Sequence, residues 1–311
     1  MTAGGKGTLP SPSAAIPGDP PVDGSSRAAS AAPDAAVADA AAADDAAGAA
    51  ADATAGLRSR FERDPKAAAT ALDLFARTGD VATLLAEQDM DGGWRGKLHL
   101  VPELPVGRYE PHLEWLRAAA LDYDAFFASL NAPAGGADAR PVPYRWRGIE
   151  LRFFRSVGGH RPSAFAEGWS IAYNVEGSLN LDANAVRELF FHEIFHLNDA
   201  AHGDWSVGAL GALYEGLVAR CGTRVDCLTP FAPTSTRVRN GTYYAFQPNN
   251  GMSVREYAAE LSVRYYREQR DAGSGATIRH PFKCGPAENG RAWKLIVDEF
   301  FAGRDRTPAC T

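Results

Sequence analysis

The chemistry of this 311-residue chain is concentrated in one run, Leu181 to Gly203, which contains His192-Glu193-Ile194-Phe195-His196. Residues four apart lie on one face of a helix, so the imidazoles of His192 and His196 can reach a single zinc ion. Glu193 sits about 100 degrees round the helix, where its carboxylate can meet a water on that ion rather than the ion itself. A water held this way beside a carboxylate is an activated nucleophile near neutral pH. The competing explanation is a core helix with two incidental histidines. Four other histidines, His99, His112, His160 and His280, have no partner at ligand spacing.

The residues around the motif are those that hold such a run as a helix. Asp182 is suited to the N-cap, since its carboxylate can accept from the free amides of the first turn. Leu181 and Val186 stand at the spacing of a hydrophobic staple, and Gly203 is a natural C-cap. A helix from Ala183 to His202 is therefore predicted, with Leu189, Phe190 and Phe191 as its apolar flank. Asp199 falls three residues after His196 on the same face. It is expected to take the second ring N–H of a metal-bound imidazole. A second helix starts near Ser253 and carries Glu256 and Glu260 one turn apart, although Ser253-x-x-Glu256 also fits a capping box.

With these residues the chain resembles the zincin metallopeptidases, whose subgroups differ in the third zinc ligand. In the metzincin type a third His falls six residues after the second, the place of His202, and Met252 would supply the Met-turn. That pattern has Gly where this chain has Asp199, and in a continuous helix His202 is rotated about 240 degrees from His196. In the gluzincin type the ligand is a Glu from a second helix. The run Glu256-Tyr-Ala-Ala-Glu260 is similar to the Glu-aromatic-aromatic-Ala-Glu of lethal-factor-type zincins, and Asp199 matches their Asp. That resemblance implies Glu256 as ligand and Glu260 as its supporting neighbour; Glu260 and His202 stay open as alternative ligands. It also implies that Tyr244, or Tyr243, donates to the oxyanion of a tetrahedral intermediate.

The implied function is zinc-dependent hydrolysis of a peptide or protein, with Zn2+ as cofactor and Glu193 as general base. Two alternatives stand beside it: a catalytically inactive zincin-fold binding module on the cell surface, and a zinc hydrolase of a non-protein substrate. The implied fold is α+β and zincin-like, mostly helical with a small mixed sheet next to the active-site helix. Strand-like runs occur at Gly148–Arg155 and Gly168–Val175, and Ser170–Val175 is expected to be the edge along which an extended peptide pairs. Helical signals fill Leu57 to Asn131, including Val81 to Ala86 and Glu110 to Leu130.

The organisation read from composition has three parts: a disordered Ala/Pro/Asp-rich tail or linker (1–56), a helical subdomain (57–135) and a zincin-like catalytic domain (136–311). The tail holds 21 Ala, no aromatic residue and a net charge of −5 out of −6 for the chain, so it has little to bury. The net charge of −6 argues against non-specific binding to nucleic acid, whose electrostatic term needs clustered Lys and Arg. No apolar run is long enough to span a bilayer. The four cysteines sit in polar, loop-like settings and allow three connectivities. Local pairing is expected, Cys221 with Cys227 and Cys284 with Cys310, in an oxidising compartment. No signal peptide is visible, but an Ala/Asp/Pro spacer ahead of a folded body is similar to that of bacterial surface lipoproteins. An extracytoplasmic protein, secreted or held by a lipid anchor outside this numbering, is expected.

Overall fold

Strand alternation around Glu150–Val157 and helical stripes on either side of it decide the architecture. The structure, a computed structural model, describes residues 51–91, 96–132, 141–158, 160–238, 241–248 and 252–310. The tail expected over 1–56 lies outside the described residues up to residue 50, and residues 51–60 are helical. The strands are β1 (Asp80–Thr83), β2 (Gln88–Asp91), β3 (Lys97–Pro102), β4 (Glu150–Val157), β5 (Ala164–Glu167) and β6 (Ser170–Asn174). The helices are α1 (Pro65–Phe75), α2 (Glu110–Asn131), α3 (Ala183–Ala201), α4 (Trp205–Cys221), α5 (Val225–Leu228), α6 (Ser253–Gly273) and α7 (Ala287–Phe300).

The six strands form one mixed sheet in the order β2-β3-β4-β6-β5, with β1 parallel to β4. Leu151 and Phe153 of β4 point to the helices, while Phe154 turns to the other face and packs with Leu98, Leu100 and Ala172. This is the period of two that a strand covered on both faces requires. The fold is thus α+β. Buried apolar residues from Leu57 to Phe301 join one core, and Ala51–Thr311 is one unit, so the boundary expected at residue 135 does not separate two cores.

Two expected elements differ. The helix predicted for Val81 to Ala86 is strand β1, whose Val81 pairs in parallel with Leu151. A short apolar run has no period of its own, and its neighbour decides. The edge expected at Ser170–Val175 is internal, because β5 covers it. Gly168 and Trp169, with φ of +56 and +62 degrees, make the two-residue hairpin that joins β5 to β6. Strand β5 is therefore the sheet's edge beside α3.

Phe191 sets the position of α3. Its ring is fully buried and stacks on Tyr266 of α6 at 4.5 Å and on Tyr144 at 5.2 Å. Phe195 meets Phe300 of α7 at 5.0 Å. On α6, Ala258 and Ala259 are fully buried. Small side chains of this kind let helices approach closely. Both expected disulfides, Cys221–Cys227 and Cys284–Cys310, are present. Among the described residues no helix is long and apolar enough to cross a membrane.

Candidate metal centre

Helix α3 begins as its sequence requires: the Asp182 carboxylate accepts from the amides of Asn184 and Ala185. The helix ends at Ala201, and Gly203 follows with φ +72 degrees. Seen from α6, His192 and His196 stand one turn apart. Their Nε2 atoms are 3.1 Å from each other. Glu256 of α6 brings Oε2 to 3.1 Å from Nε2 of His192 and 3.6 Å from Nε2 of His196. A tetrahedral ion with bonds near 2.0–2.1 Å holds its donors about 3.3 Å apart. The three spacings bracket that value, so the donor set fits a divalent cation such as zinc. These three residues are the group of metal-binding side chains found among the described residues.

The hydroxyl of Ser253 donates to the carbonyl of Gln247, so no capping box forms and the Glu256 carboxylate is left for the imidazoles. Glu260, one turn further along α6, stands behind the first ring. Its Oε1 is 3.2 Å from Nδ1 of His192, and its Oε2 accepts from the hydroxyl of Thr234. A carboxylate on Nδ1 fixes the proton there and turns the Nε2 lone pair toward the centre. Thr234 lies in a loop and carries no periodic or motif signal, so sequence reasoning misses it.

The electrostatics follow from this packing. Burial disfavours charge on His192, but the carboxylates of Glu256 and Glu260 outweigh it and raise its pKa well above the ordinary value. Burial pushes Glu256 up as well, and the two imidazoles overcome it and hold the carboxyl well below the usual range. Glu193 is different. Burial raises its pKa, the imidazoles oppose that, and the balance stays above the ordinary glutamate value. Glu193 lines the same cleft as His192 and Tyr244 and, among the described residues, belongs to no donor group. Tyr244 opens a short 3-10 turn, its ring centroid 5.9 Å from that of His192.

Two expected participants are elsewhere. Both oxygens of Asp199 accept from Ser206, from its amide at 2.7 Å and its hydroxyl at 2.6 Å. Those bonds join the end of α3 to the start of α4, so the carboxylate serves the helix junction rather than an imidazole. His202 caps α3, and its Nδ1 pairs with Glu299 of α7 at 2.7 Å. Continuation of the helix past Asp199 carries it away from the two ligand rings, so the alternative ligand set through His202 is not formed. No family model, curated protein or solved structure matches this chain.

Proposed function

We propose that the protein is a zinc-dependent metallopeptidase of the zincin type, with His192, His196 and Glu256 as the residues that hold the metal. The observation that carries this reading is the meeting of those three donors, one of which, His192, lines a cleft together with the buried Glu193. Zinc bound there would polarise a scissile carbonyl and lower the pKa of a water. Glu193 takes the proton of the attacking water on its carboxylate and delivers it to the leaving amine. Its burial keeps the carboxylate basic enough for both steps. Glu260 keeps the proton of His192 on Nδ1. Tyr244, at the cleft wall, is suited to donate to the developing oxyanion. An extended peptide would add to the free edge of β5, since Ala164 and the two residues before it border the cleft.

Two disulfides suit an oxidising compartment, which supports an extracytoplasmic protein, secreted or surface-anchored. The test is metal analysis of the purified protein together with hydrolysis of an unstructured protein. Glu193→Gln should retain zinc and lose hydrolysis. Zinc retained without activity in the unaltered protein would favour a binding module. Activity that survives Glu193→Gln would refute the role given to that residue.

A further inference from the structure

The cleft that His192 lines runs as a groove between α3 and α6, and its lining includes an ion pair. One turn before His192, Glu188 faces Arg267, which lies two turns after Glu260. The pair is bidentate: Nε of Arg267 is 2.5 Å from Oε1 of Glu188, and a terminal guanidinium nitrogen bonds Oε2. Between His192 and this pair α3 contributes Leu189 and, from Glu260 on, α6 contributes Val263, while Thr234 and Thr236 also line the cleft. At the mouth Leu179 and Leu181 are 42% and 71% exposed. The hydrophobic staple expected of Leu181 does not form, and its side chain borders the groove instead. Large apolar side chains left in water beside a cleft mark a place where another apolar group docks.

The helices also set the depth. At 1.5 Å per residue the pair lies about 6 Å along α3 from His192 and about 10 Å along α6 from Glu260. That is room for one side chain. Arg267 alone would make the groove end an anion site, because a guanidinium binds a carboxylate in two-point fashion. Glu188 already occupies both points.

We infer that this groove accepts a bulky, uncharged apolar side chain of a residue next to the scissile bond, and that Glu188 is the specificity-determining residue that keeps acidic side chains out. The inference rests on the peptidase reading. Without Glu188, the freed guanidinium would welcome Asp or Glu.

The test compares two peptide hydroxamates that differ only in the side chain beside the zinc-binding group, leucine or aspartate. Their binding to the zinc-loaded protein is measured by calorimetry. The unaltered protein should prefer the leucine probe by about tenfold or more, a difference of about 1.4 kcal/mol. Glu188→Gln should shift the ratio toward aspartate by at least as much. Adding Arg267→Met to Glu188→Gln should restore the leucine preference, which a general loosening of the groove would not do. Equal affinity for both probes in the unaltered protein, or a ratio that ignores Glu188→Gln, would overturn the assignment. Hydrolysis of an unstructured protein is followed alongside. If hydrolysis depends on Glu193 but the probes do not discriminate, only the groove assignment falls. If neither hydrolysis nor probe binding occurs with zinc retained, the peptidase reading falls and takes the groove with it.

Discussion

Glu260→Gln is the sharpest probe of the proposed metal site, because the change keeps shape and removes charge. The Glu260 carboxylate lies 3.2 Å from Nδ1 of His192 and takes the Thr234 hydroxyl on its other oxygen. With an amide in its place, the His192 proton is no longer drawn to Nδ1, and the ring can present its N–H to the metal. Loss of such a partner weakens metal affinity by about 10- to 100-fold. A ligand that binds only the folded state stabilises it by RT ln(1 + [L]/Kd). At a free zinc concentration of about 1,000 times the unaltered Kd, this is about 4 kcal/mol. A 30-fold weaker site at the same zinc concentration gives about 2 kcal/mol. For a folded unit of this size each kcal/mol moves Tm by about 2–4 °C. The zinc-induced rise in Tm should therefore fall by about half, and a competitive chelator titration should return the weaker Kd directly. An unchanged Kd and an unchanged Tm rise in Glu260→Gln would refute the claim that this carboxylate orients His192.

Three other outcomes are expected. His202→Ala should leave zinc affinity within about twofold, since its ring pairs with Glu299, and should cost at most about 1 kcal/mol, as a half-exposed pair does; chelator titration and urea unfolding check both. Replacing Cys284 and Cys310 by Ser opens a link across 26 residues and should lower unfolding stability by about 3.5 kcal/mol in guanidinium. Burial lowers the pKa of His112 to about 4, with its Nδ1 on the Tyr173 hydroxyl. The unfolded chain then binds this proton first, so stability is intact above about pH 6.5 and declines by up to about 3 kcal/mol toward pH 4. The difference in unfolding free energy between the unaltered protein and His112→Phe, both metal-free, should show that slope; a constant difference across the interval would count against it.

The helix with the histidines was readable because the signals at both its ends agreed: Asp182 caps it, Gly203 follows its end, and the two histidines share its α6 side, although the staple expected of Leu181 does not form. Glu256 was reached differently, through the resemblance of Glu256-Tyr-Ala-Ala-Glu260 to the lethal-factor-type run, with Glu260 and His202 left open beside it. What escaped depends on contacts distant in the chain. Val81 is a strand residue because β4 lies beside it. Asp199 has the right helical face for an imidazole, but both its oxygens accept from Ser206 after a turn that helix periodicity does not describe. Thr234 reaches Glu260 across 26 positions of sequence. The hairpin of β5 rests on two consecutive residues with positive φ, of which only Gly168 gives a local hint.

Glu256, Glu260, Val263 and Arg267 occupy steps of four, three and four along α6, one continuous stripe of a single rod. The proposed ligand, its orienting carboxylate, the groove wall and the groove end are thus bolted to the same girder. Sliding that rod by one residue would rotate all four by about 100 degrees and lift them by 1.5 Å together. Loose metal retention and altered side-chain choice should consequently arise as paired defects whenever a substitution displaces the rod. Only changes confined to one of the four tips can separate them.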